Sequence, residues 1–94
     1  MIGMYNRLPV RIQRGMFENE YTITLNVHSR HLTAVVNKES VIVSTPPTDE
    51  APGEGFVRVR VLGVDDGSAL VDLPRPAFTS TPRLKVPEEV LRPG

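Results

Sequence analysis

The chain reads as an all-β protein, a small single-domain barrel or sandwich of SH3-like or OB-like size with about six to seven short antiparallel strands. Three observations predict this. Apolar and polar residues alternate in YTITLNV (residues 21–27) and FVRVRV (residues 56–61), the two-residue rhythm of a strand with one buried face. Clusters of Gly, Pro, Asn and Asp punctuate the chain about every ten residues, the spacing of short strands joined by turns. No heptad, internal repeat or long amphipathic helix competes with that reading. At 94 residues there is enough chain for one modest core and too little for two.

The elements follow in order. From Leu8 to Gly15, Val10 and Ile12 fall on one face and Arg11 and Gln13 on the other, and Gly15 ends the run. The segment 21–27 sets Tyr21, Ile23, Leu25 and Val27 against Thr22, Thr24 and Asn26, residue types that suit a pleated surface. HLTAVV (31–36) and VIV (41–43) flank Asn-Lys-Glu-Ser, a composition that predicts a hairpin connection. Consecutive apolar residues on both of these strands predict that both faces of the hairpin seek cover.

STPPTDEAPGEG (44–55) predicts an exposed acidic loop, since its prolines and glycines suit neither helix nor sheet interior. The next strand points Val57, Val59 and Val61 inward and Arg58 and Arg60 outward. Asp65-Asp66-Gly67 then offers the glycine a tight turn needs, and Ser68 to Leu73 returns. Strands 8–73 form the expected core of a domain covering residues 1–94, and 74–94 form a proline-rich C-terminal arm. Within that arm RLKV (83–86) suggests a last short strand, and PEEVL (87–91) a single helical turn, with Pro87 at its first position and Glu88 and Glu89 at its positive end.

Composition narrows the function. Eleven basic and eleven acidic residues cancel, so a charge-driven partner must use a local patch. The absence of cysteine excludes disulfides and thiolate metal sites and favours a cytoplasmic setting. No apolar run approaches the roughly 20 residues needed to span a bilayer, and the start lacks the apolar block of a signal peptide, so a soluble chain without membrane contact is expected.

Catalytic and metal signals are weak. His28 and His31 are three apart, on opposite faces of a continuous strand, with no neighbouring acid to complete a ligand set; no metal and no cofactor are expected. Asp65 and Asp66 suit a turn better than a carboxylate cluster with Asp72. No serine sits in a glycine-framed elbow, and Gly53-Glu54-Gly55 precedes a strand without the Gly-Lys-Ser/Thr of a phosphate loop. The chain is therefore expected not to be an enzyme.

Binding remains. The leading expectation is a structural or binding module that self-associates into a homo-oligomer or meets another protein, with Val35, Val36, Ile42 and Phe78 in the contact. PRPAFTSTP (74–82), with Phe78 at its centre, suits packing on its own barrel, crossing to a neighbour, or docking in a proline-recognising groove. The alternative is single-stranded DNA or RNA binding by Arg11, Arg58 and Arg60, with Phe56 on the same face as a stacking ring and Arg7 and Arg14 nearby. The ordinary explanation of such arginines is a wet strand face with Glu or Asp across the strand. A small enzyme or ligand-binding barrel comes third, marked by a deep pocket holding histidines or buried carboxylates.

Overall fold

A computed structural model describes residues 5–27, 30–74 and 83–93. Eight strands form one antiparallel sheet: β1 (Tyr5–Arg14), β2 (Glu20–Val27), β3 (Arg30–Asn37), β4 (Val41–Thr45), β5 (Gly53–Asp65), β6 (Ser68–Asp72), β7 (Arg83–Pro87) and β8 (Arg92–Pro93). Their spatial order is β3-β2-β1-β5-β6-β7, with β4 also pairing β5 and β8 also pairing β1, and the sheet curls into a half-barrel. Among the described residues the helical content is two single 3-10 turns, Lys38–Ser40 and Glu88–Val90. No helix among them is long and apolar enough to cross a membrane.

The alternation sorts side chains as the sequence predicts. Leu8, Val10 and Ile12 of β1, Ile23 and Leu25 of β2, and Val57 and Val59 of β5 are buried together with Ala34, Val36, Val41, Ala69, Val71 and Val86 in one core. Each such aliphatic side chain contributes about 1.5–3 kcal/mol by leaving water, alanine less. Val61 and Tyr21 are half-buried against its rim, and the Lys38 ammonium lies 5.0 Å from the Tyr21 ring centroid. Residues 83–93 of the C-terminal arm belong to the sheet through β7 and β8; Phe78 lies outside the described residues.

The hairpin expected between residues 31 and 43 does not form. β3 pairs with β2 along its length, whereas β4 pairs with β5. The reason is the turn chemistry. A tight hairpin matches the twist of its strands with positive φ at its centre, but Asn37 has φ −68° and the chain continues into a 3-10 turn, which splays the two strands onto different neighbours. Among the described residues positive φ occurs at Asp66 (53°) and Gly67 (77°), between the paired Asp65 and Ser68, and there the β5–β6 hairpin closes through two residues as predicted. The Glu88 N–H donates to the Gly67 carbonyl at 2.8 Å, tying this tip to the second 3-10 turn. Gly67→Ala should cost about 1 kcal/mol in urea unfolding, from left-handed backbone strain alone, because a Cβ there meets nothing within 4 Å.

Candidate functional site

Strand parity and register assemble the outer face. Odd-numbered residues of β1 and even-numbered residues of β5 point away from the core, and the register sets Arg7 opposite Arg58, Pro9 opposite Phe56, and Arg11 opposite Glu54. On its other side β1 carries β8, which places Arg92 opposite Arg7. Arg58, Arg7 and Arg92 therefore form a row of guanidinium-bearing positions across three adjacent strands, about 5 Å apart.

Such a row opposes folding. Like charges directly across a strand pair destabilise it, by about 0.2–1 kcal/mol per pair, and no carboxylate is at ion-pairing distance from these arginines among the described residues. The acids sit elsewhere. Asp49 of the acidic loop meets Arg14 at 2.7 Å in a wet contact of small energetic value. Asp72 lies opposite both Arg60 and Arg83. Its Oδ1 is 3.3 Å from the Arg83 Nε, yet it makes no hydrogen bond.

Local packing holds the row in place. The Arg7 guanidinium carbon stands 4.9 Å from the Phe56 ring centroid, a cation–π stack, and its Nε is shielded from water without an acceptor. The Arg92 Nη1 donates to the carbonyls of Glu89 at 2.9 Å and Leu91 at 3.4 Å. Phe56 shares the outer face as expected, half-buried between Pro9 and Ile42 in the register. With Arg7 over its ring, what it supports toward solvent is a flat cation.

Beside the row lies a cleft of about 620 Å³. It exists because β4 and β6 use the same edge of β5: β4 reaches Val57 and β6 begins at Arg60, leaving the edge between them uncovered. Ile42, Val59, Leu73 and Pro74 line it, with Arg58, Arg60 and Asp72 among its polar walls.

The other predicted residues scatter. Of the expected contact residues, Val36 is buried in the core of its own chain, while Val35 and Ile42 are half-buried. Ile42 looks into the cleft, and Val35 lies on β3 opposite Thr22. His31 is exposed and His28 lies outside the described residues. Asp65 and Asp66 occupy the β5–β6 turn, a strand length from Asp72. No group of three or more His, Cys, Asp or Glu side chains gathers as a metal site among the described residues.

In the register Arg11 and Arg60 lie opposite Glu54 and Asp72, the arrangement the ordinary explanation requires, although neither forms an ion pair among the described residues; Arg58 faces a second arginine instead. Arg7 shares the parity of Arg11 and is legible to that extent, but Arg92 is not, because a two-residue strand ending in proline carries no periodicity. Compared with known proteins, the chain matches no family model, no curated protein and no solved structure.

Proposed function

We propose that the chain is a non-catalytic binding module whose outer face receives the phosphate backbone of a single-stranded nucleic acid. The observation that carries this reading is the row Arg58–Arg7–Arg92, side by side in the register with no carboxylate at ion-pairing distance among the described residues. A phosphodiester chain removes the repulsion and matches the planar fork of each guanidinium. The Arg7 plane over Phe56 offers a base a stacking platform, and the neighbouring cleft offers it apolar walls. A net charge of zero confines attraction to this face, and the cysteine-free composition suits a cytoplasmic module.

The test is titration of a short, labelled, single-stranded oligonucleotide at several salt concentrations. Phosphate contacts release counterions, each adding about −0.7 to the slope of log affinity against log salt for single strands, so contacts from the whole row predict a slope near −2. No binding at low salt, or binding indifferent to salt, refutes the assignment.

A further inference from the structure

The two end strands of the half-barrel differ in a way that points to a partner. An end strand leaves backbone N–H and C=O groups unpaired, and folds protect such edges with charges, prolines, bulges or brevity. β7 has most of these: five residues, with Arg83, Lys85 and a terminal Pro87. β3 has none along HLTAVV. It is eight residues long, without Lys, Arg, Asp or Glu from His31 to Val36, free of proline and glycine, and rich in the β-branched residues Thr33, Val35 and Val36. Its register with β2 runs unbroken from Val27 opposite Arg30 to Glu20 opposite Asn37, so no bulge turns this edge aside. Among the described residues its sole ladder is the one to β2.

We propose that β3 is a pairing edge whose occupant is the β3 of a second copy of this chain, antiparallel and related by a two-fold axis normal to the sheet. An axis of that kind opposes residues whose numbers add to an even total, so inward positions meet inward positions. With the axis through Ala34, Leu32 of each copy lies across from Val36 of the other, and Leu32, half-buried at the end of the core, gains the cover it lacks. Charge singles out self-pairing as well. The stretch from His31 to Val36 brings no Lys, Arg, Asp or Glu together when it meets itself, and position 30 of each copy falls opposite position 38 of the other, where the partner chain has left its strand for the 3-10 turn; the same stretch offers a foreign strand no charge pattern for selection.

The pairing also has a consequence for the arginines, one that rests on the nucleic-acid reading. An axis normal to the sheet leaves both outer faces on the same side. The two β1 strands are then five strand spacings apart along the curled sheet, about 24 Å, and one long strand of nucleic acid meets both rows.

Light scattering across a wide concentration range tests the pairing, independently of any nucleic acid. Wild type should show the mass of two chains. Thr33→Lys with Val35→Lys places charges beside the axis, and the mass should halve while circular dichroism stays near wild type and urea unfolding remains cooperative, at a midpoint lowered by the loss of the association. Mixing that variant with Thr33→Glu/Val35→Glu should restore the two-chain mass. Leu70→Lys, on exposed β6 surface away from this edge, should leave the mass at two chains. Thr33 is exposed, so Thr33→Lys alone carries the test if the double variant fails to fold. A one-chain mass for wild type, or a two-chain mass in a folded lysine variant, overturns the proposal. An oligonucleotide that fails to bind a two-chain protein refutes the nucleic-acid reading and leaves the pairing intact.

Discussion

Gly55→Ala is expected to destabilise the protein by about 3 kcal/mol, the upper range for forcing an extra methyl into a packed core. Gly55 is an inward position of β5, opposite Val10 on one side and Val43 on the other. A Cβ there meets the Ile42 carbonyl oxygen, and the Ile12 Cδ1 at 2.8 Å. The first of these is backbone and has no rotamer to escape by. Gly53 is in the same position two residues earlier, where a Cβ meets the Thr45 carbonyl oxygen, and the Pro47 nitrogen at 2.6 Å.

These two glycines are what let β4 fold across β5, and β4 supplies Ile42 to the cleft and beside Phe56. Urea unfolding should show the loss as a lower midpoint with an unchanged slope, and melting should fall by about 15 °C. Gly63→Ala is the control, since a Cβ there meets nothing within 4 Å, and it should change stability by less than about 0.5 kcal/mol. A mild effect at Gly55 contradicts the close crossing of β4 over β5.

Arg58→Thr is expected to move stability and binding in opposite directions. Removing the exposed Arg58 charge relieves the repulsion with Arg7 and installs a residue suited to strands, a gain of about 0.5 kcal/mol at low ionic strength. That gain should shrink toward high salt, as the screening length falls from about 10 Å at 0.1 M to about 3 Å at 1 M. Oligonucleotide affinity should drop about tenfold, the worth of one charge-assisted hydrogen bond, and the salt slope should flatten by about 0.7.

Arg60→Thr is the comparison on the same face. It removes one of the two arginines opposite Asp72 and relieves no like-charge pair, so no stability gain is expected. If Arg58→Thr weakens the fold, or leaves affinity and salt slope unaltered, the arginine row is ordinary wet surface.

How much of this was legible from residues alone depended on whether one strand sufficed to decide it. Val57, Val59 and Val61 against Arg58 and Arg60 is a pattern internal to β5, and burial follows it. The Asp66-Gly67 turn is equally local, because positive φ is a property of two residues. The 31–43 hairpin does not form although both of its strands do, because the pairing of two strands is not a property of either. Gly53 and Gly55 read as the end of a loop, since nothing local announces that another strand's backbone will come within a methyl group of them.

By itself, then, the sequence determined the course of β1, β2, β5 and β6 over most of their length, which side of β1, β2 and β5 is wet, and where β5 turns back into β6; all of these follow from steric preferences and a two-residue period acting within a few residues. Tertiary structure alone decided the neighbours. It brought Arg7 between Arg58 and Arg92, sent β4 to β5 in place of β3, and set β3 at the end of the strand order among the described residues, because strand order and register are settled by how the whole sheet curls around its core, and register is what turns scattered arginines into a row.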